Sequence, residues 1–424
     1  MTIHRAHTLS DEIADRLACP SSSWIRAQAE DWRRQSLAHG LLGIALLHVE
    51  RAAAGLSPWQ RVNDWLAAAT RTPLTTGPDS HPFHGAPALA HVLACAARHM
   101  PGPYEKALAA LDRQIATDVH RRLAAARRRI ASEAPPALAE FDSIRGLTGY
   151  GAYLLRSDPS GDLVRQVLEY LVHLTTPISH NGRTLPGWWT LLGPSGRADD
   201  RYPGGHANTG VAHGIGGVLA LLALAARQDV MVDGHRDAIH AILAWLDRWQ
   251  FDIAHGVVWP YWVTRSELEA GRVLPPTAQR PSWCYGAAGV ARAQQLAGLA
   301  LGDVPRQLAA ETSLIGALTD PSQIGATAEL GLCHGFAGLA HIAARAADDA
   351  LPGNAGRIRD LIPALLTAVH PPDVAPGRAA ARILESPGPG TGLLDGAAGI
   401  ALAVRAPATA APPRTAWDAC LLIA

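Results

Sequence analysis

A Gly-x-x-Gly step recurs through this 424-residue chain, at Gly40/Gly43, Gly146/Gly149, Gly214/Gly217, Gly286/Gly289, Gly335/Gly338 and Gly396/Gly399. A degenerate copy, His84-Gly85-Ala86-Pro87-Ala88, stands between the first two and makes seven. Each step is preceded by a polar residue: His39, His84, Arg145, His213, Tyr285, His334 and Asp395 in turn. Each is followed by an Ala/Leu-rich stretch of helical length, such as Gly217–Ala226. The copies lie about 45–70 residues apart, longer than most solenoid units and long enough for a second helix in each. Trp59–Ala69, Asp162–Leu174, His235–Trp249 and Arg357–Val369 show the three- and four-residue apolar spacing that suits such helices.

Helices that are apolar nearly all round must be buried, and amphipathic ones must cover them. Seven such pairs predict an all-α fold, a double-layered α/α toroid (barrel) of seven inner and seven outer helices. Glycine at each inner helix start permits close backbone approach. The inner N-termini then share one rim, where amide groups and positive dipole ends collect. The polar residue before each glycine rings that rim, so the active site is expected there. Thr176–Asn208 and Phe251–Val263 break the helical rhythm and are expected to be irregular or short β insertions. Six of the twelve tryptophans fall between Trp188 and Trp262. They either pack these insertions onto the ring or line a groove for an extended substrate, for which amphipathic aromatics are suited.

No linker or low-complexity tract divides the chain, so residues 1–424 read as one domain. Lysines and arginines (37) equal aspartates and glutamates (37), which gives no footprint for nucleic acid or an anionic membrane. The start of the chain is too polar for a signal peptide. No apolar run reaches the roughly 18–20 residues a membrane helix needs, so stable membrane insertion is not expected. Five scattered cysteines, Cys19, Cys95, Cys284, Cys333 and Cys420, are not a disulfide framework. A reducing, cytoplasmic setting is expected.

Two of those cysteines differ from the rest. Trp283-Cys284-Tyr285-Gly286 and Cys333-His334-Gly335 occupy equivalent points of two repeats. A fold that superposes its repeats brings two thiols and an imidazole together, which is a zinc ligand set with one position left open. Two thiolates and a neutral imidazole leave Zn²⁺ near zero net charge. Such a site suits activation of a thiol better than of water. No fourth ligand of similar quality is evident, which argues against a closed structural site. Cys19, Cys95 and Cys420 read as small apolar residues.

Together, Gly210-Val211-Ala212-His213-Gly214, Trp283-Cys284-Tyr285-Gly286 and Cys333-His334-Gly335-Phe336-Ala337-Gly338 resemble the LanC-type lanthipeptide cyclases, the lanthionine synthetase C family. The resemblance extends over the whole chain through the seven repeats. It implies the helical toroid, zinc on Cys284, Cys333 and His334, and addition of a peptide cysteine thiol to dehydroalanine or dehydrobutyrine. The substrate it implies is a dehydrated precursor peptide of leader plus core, supplied by a separate dehydratase. Residue by residue, His213 matches the proposed acid/base of the family's Ala-His-Gly motif, and Asp142 an aspartate placed at the same site. Arg280 matches an arginine four residues before the first cysteine, and Tyr285 follows that cysteine directly. His206 and Asn208 match only loosely. Ala288 stands where the family often has proline, and the second repeat lacks a full glycine step. Arg280 is expected to stabilise an enolate oxygen, His213 to protonate the α-carbon, and Asp142 to orient His213 or accept the thiol proton. A helix cap for Asp142 and a core or capping role for His213 are the structural alternatives. Two other functions fit the same residues: an enzyme joining glutathione to dehydrated proteins, and a zinc-bearing scaffold that only holds a peptide.

Overall fold

The computed structural model describes residues 2–21, 31–254, 256–273, 279–386 and 390–424. Every glycine step opens a helix. The seven begin after Gly40, Gly85, Gly146, Gly214, Gly286, Gly335 and Gly396, and run Leu41–Ala53, Ala86–Ala97, Leu147–Ser157, Ile215–Ala226, Ala287–Leu301, Phe336–Asp349 and Ala397–Thr409. They are buried on nearly all sides. Ile215–Ala226 leaves only Leu224 and Ala226 outside the core. The second helices are amphipathic instead. His235–Trp249 buries Ala238, Ile239, Ile242, Leu243, Leu246 and Trp249, a single stripe at helical spacing.

The contacts divide the chain into two compact units. The first holds residues 1–115, 327–418 and 424. Its inner helices Phe336–Asp349, Ala397–Thr409, Leu41–Ala53 and Ala86–Ala97 neighbour one another in that order. The outer layer follows the repeat, with Trp59–Ala69 on Leu41–Ala53 and Pro352–Val369 on Phe336–Asp349. The last repeat breaks the rule. Ala397–Thr409 is covered by the N-terminal helix Thr2–Arg16, which joins the two ends of the sequence. Buried Asp418 ties the C-terminal segment to helix Phe336–Asp349: it accepts from His341 Nε2 at 2.9 Å and from Arg345 Nε at 2.7 Å. Burial by itself would raise its carboxyl, but these two partners outweigh burial and hold it far below the usual range.

The second unit holds residues 116–326 and 419–423. Its inner helices Leu147–Ser157, Ile215–Ala226 and Ala287–Leu301 are neighbours in sequence order. Asp162–His173, His235–Trp249 and Val304–Thr319 cover them. The C-terminal residues dock here, where Trp283 Nε1 donates to the Leu421 carbonyl at 2.9 Å and Arg292 Nε to that of Ile423 at 3.0 Å. Both non-helical insertions form antiparallel pairs: Ile178–His180 with Arg183–Leu185, and Phe251–Ile253 with Gly256–Val258. A third pair, His206–Asn208 with Trp262–Thr264, bonds one insertion to the other. Trp188, Trp189, Trp249 and Trp259 are buried and pack the insertions down, while Trp245 and Trp262 are half-buried. Among the described residues no helix is long and apolar enough to cross a membrane.

The glycines explain how the turns are built. A Cβ on the second glycine of a step would strike the carbonyl oxygen six residues earlier. That distance is 2.6 Å for Gly43 to Leu37, 2.3 Å for Gly217 to Val211, 2.1 Å for Gly289 to Trp283, 1.9 Å for Gly338 to Leu332 and 1.6 Å for Gly399 to Leu393. The chain before each inner helix thus lies directly on the first turn of that helix. Successive turns then bond to each other. In the second unit Ser143 N–H donates to the Ala212 carbonyl, and Val211 N–H to that of Cys284. In the first, Cys333 donates to Leu394, Leu393 to Leu37, and Leu37 to Phe83.

Gly399→Ala is therefore expected to destabilise the protein by about 1–3 kcal/mol or more, the range for overpacking. Gly356, inside helix Pro352–Val369, has nothing within 4 Å of a built Cβ. Gly356→Ala is expected to gain up to about 1 kcal/mol from helix propensity. Urea denaturation of the two variants against the parent checks the contrast; equal midpoints would show that the turn yields.

Candidate metal centre and proton-transfer pair

The turns carry the polar residues to the helix starts. In the second unit, Asp142 stands four residues before Gly146 and is buried. One carboxylate oxygen, Oδ1, accepts from the backbone N–H of Arg145 at 2.6 Å and of Gly146 at 2.8 Å. The other, Oδ2, lies 2.6 Å from Nδ1 of His213. Asp142 thus both ties down the turn that leads into helix Leu147–Ser157 and partners His213, because its two oxygens serve different neighbours. The His213 side chain is 32 % exposed, against 2 % for Asp142. The buried carboxylate engages one ring nitrogen and leaves Nε2 outside that bond.

The turn holding Cys284 is tied to the His213 turn through backbone. Cys284 O accepts from Val211 N–H at 3.0 Å and from Ala212 N–H at 3.3 Å. Ser282 Oγ stands 3.6 Å from Cys284 Sγ and also bonds the Tyr285 carbonyl. Gly286 follows with φ +123°, a value side chains avoid, and a Cβ there would meet the Arg280 carbonyl at 2.4 Å. The chain must therefore reverse sharply after Tyr285. The Tyr285 ring lies 6.2 Å from that of His213, 5.5 Å from Tyr261 and 5.9 Å from Trp262, the last edge-on. Tyr261 donates its hydroxyl to the Arg280 carbonyl at 3.1 Å. Burial pushes the Tyr261 phenol up to about 12, although the nearby Arg280 guanidinium works the other way. His206, on the strand beside Trp262, is lowered by burial to about 4 and is neutral at ordinary pH.

In the first unit, His334 has carboxylates near both nitrogens: Glu329 Oε1 is 3.6 Å from Nε2 and Asp395 Oδ1 is 3.5 Å from Nδ1. His39, Glu329, His334 and Asp395 border one cavity of about 570 Å³. Burial lowers His39, with Asp395 opposing that shift. His84 pairs with His81 through backbone, whereas His39 shares the cavity of His334.

Cys284, Cys333 and His334 form the one group among the described residues in which three His, Cys, Asp or Glu side chains are placed to hold a metal ion. Their ligand atoms all lie within 4.8 Å of one another. Zinc bond lengths of 2.0–2.3 Å put tetrahedral ligands about 3.5–4 Å apart, so rotamer-scale movement closes the set around an ion. Soft sulfur donors with one imidazole fit zinc and disfavour magnesium or calcium. With one ring nitrogen of His334 on an ion, the carboxylate beside the other nitrogen, Glu329 or Asp395, would stand as the outer partner that metal-bound histidines normally have. Glu329 and Asp395 were not among the sequence-predicted site residues. Asp395 did carry a signal, since it precedes its glycine as His334 does.

The sequence model of the family described as lanthionine synthetase C-like protein matches residues 31–422. The chain is 27 % identical over 206 residues to the nisin biosynthesis protein NisC of Lactococcus lactis subsp. lactis. That alignment takes in 48 % of this chain and 48 % of the relative, about half the length of each. The solved structure of a nisin cyclase superposes with a TM-score of 0.76 at 23 % identity, over 98 % of this chain and 96 % of that one. This likeness shows the all-α toroid fold class that the glycine repeat predicts.

Asp142→Ala removes a buried acceptor from two backbone N–H groups and is expected to cost about 1–3 kcal/mol. Asp142→Asn keeps an oxygen for both N–H groups and should recover most of that loss. Thermal or urea unfolding of the pair tests this, and an alanine variant as stable as the parent would contradict the turn-holding role.

Proposed function

The chain belongs to the lanthionine synthetase C-like family, and on that premise we propose that it is a zinc-dependent lanthipeptide cyclase. The reaction adds a cysteine thiol of a dehydrated precursor peptide to a dehydroalanine or dehydrobutyrine of the same peptide, closing a lanthionine or methyllanthionine ring. The observation that carries this reading is the gathering of Cys284, Cys333 and His334. These three would hold the zinc, which when bound supplies a Lewis acid that lowers the pKa of a substrate thiol at the open position.

The remaining work falls to side chains. Forming the C–S bond at the β-carbon sends the alkene electron pair toward the α-carbon and the adjoining carbonyl oxygen. Arg280 and Tyr285 are assigned to the charge that develops on that oxygen. The α-carbon must gain a proton, and His213 is its donor through Nε2 once that nitrogen has taken up the proton the substrate thiol loses. Asp142 accepts from Nδ1–H, which sets the tautomer and the ring plane. The thiol loses one proton and the α-carbon gains one, so no oxidant, reductant or nucleotide is needed and the peptide mass is unchanged. The dehydro residues come from a prior dehydration, assigned to a separate dehydratase. The cytoplasm, where thiols stay reduced, is the proposed setting.

Cys284→Ala or Cys333→Ala is expected to remove most bound zinc while helical content stays near the parent's, since the helices have their own core. Elemental analysis beside far-ultraviolet circular dichroism checks this, and full zinc occupancy in both variants would remove the metal assignment.

Activity is read by alkylating free thiols after a dehydrated, cysteine-containing peptide meets the zinc-loaded protein. Zinc-dependent loss of alkylatable cysteine is expected. His213→Ala should keep its zinc and lose about 10²–10⁴-fold in rate. Thiols that persist with the peptide but disappear when glutathione meets a dehydrated protein would move the reading to glutathione addition.

A further inference from the structure

Asn208 is fully buried on the strand His206–Asn208, directly opposite Trp262 in the antiparallel pair. Its side-chain amide has only one orientation that its neighbours permit. Oδ1 lies 3.0 Å from the backbone N–H of Gly210, and a backbone donor can meet only the oxygen end. Nδ2 is therefore the atom 3.3 Å from the Tyr285 hydroxyl. Nδ2 carries hydrogens and accepts nothing, so the phenol oxygen must be the acceptor in that bond. The phenol hydrogen is then directed to another acceptor.

We infer that Asn208 is a positioning residue that presets Tyr285 as a hydrogen-bond donor toward the carbonyl oxygen of the dehydro residue. The inference rests on the cyclase reading and gives Tyr285 a defined polarity within it. Two glycines make room for the pair. A Cβ on Gly214 would stand 2.5 Å from Asn208 Oδ1, and a Cβ on Gly210 would stand 2.7 Å from Tyr285 Cδ1. The ring is confined by Tyr261 and Trp262, so the hydroxyl is aimed and its hydrogen is turned by the amide. An oxyanion donor works through such prior orientation, because it need not reorganise as charge appears.

The test uses the zinc-loaded, full-length protein. Tyr285→Phe deletes only the hydroxyl, and the Asn208 side-chain amide resonances in a ¹⁵N-labelled sample are expected to shift upfield. Unmoved resonances would show that the bond is absent and overturn the inference. Asn208→Leu, nearly isosteric and apolar, is expected to lower kcat by about 10–100-fold, the range typical of residues that orient a functional group, with KM and zinc content unchanged. In a Tyr285→Phe background the same change should cost nothing further. Losses that multiply, or a raised KM with kcat intact, would mean that Asn208 acts apart from Tyr285. The resonance measurement needs no turnover and no Asn208 variant. It therefore decides the contact even if Asn208→Leu does not fold, and a parent that cyclises nothing removes the cyclase reading separately.

Discussion

The contact on which the rest depends is a carbonyl oxygen lying against a glycine. In repeat after repeat, the residue three before the first glycine sets its carbonyl on the second glycine, with no space for a Cβ. This lays the incoming chain across the first helical turn. It also leaves the neighbouring peptide groups free to bond the next turn along. Glycine is the only residue that permits the contact, so the repeat is visible in sequence as glycine and in structure as a stack of turns.

The site follows from that stack. A turn anchored at both glycines presents the residues between its entry and its helix in a fixed order. Cys284 and Cys333 both stand two residues before the first glycine of their turns; His213, Tyr285, His334 and Asp395 stand one before; Asn208, Arg280 and Glu329 stand six before. Equivalent positions in different repeats thus carry different side chains: a thiol beside an imidazole in one, an imidazole held by a carboxylate in another, a carboxylate beside an imidazole in a third. Where one position has two duties, its atoms divide them. Asp142 holds the turn before helix Leu147–Ser157 with one oxygen and His213 with the other.

The insertions complete the picture on the His213 side. Four tryptophans are used for packing, and the half-buried Trp262 stands edge-on to Tyr285. The two readings open for these aromatics were packing and a substrate groove. Burial supports the first for most of them and leaves Trp262, beside Tyr261 and Tyr285, as the one placed near the polar groups.

The amino-acid sequence alone determined the seven helix starts, the buried character of the inner helices and the amphipathic stripe of His235–Trp249, and it singled out Cys284, Cys333 and His334, because each is written in local spacing and residue type. Periodicity reports which side of a helix is buried but not what buries it. Tertiary structure was needed to assign Thr2–Arg16 as the cover of Ala397–Thr409, to pair His206–Asn208 with Trp262–Thr264, and to bring Asp395 beside His334 and Asn208 beside Tyr285. Each of these depends on segments far apart in sequence meeting at one place, and hydrogen-bond direction, as for the Asn208 amide, exists only once both partners are in position.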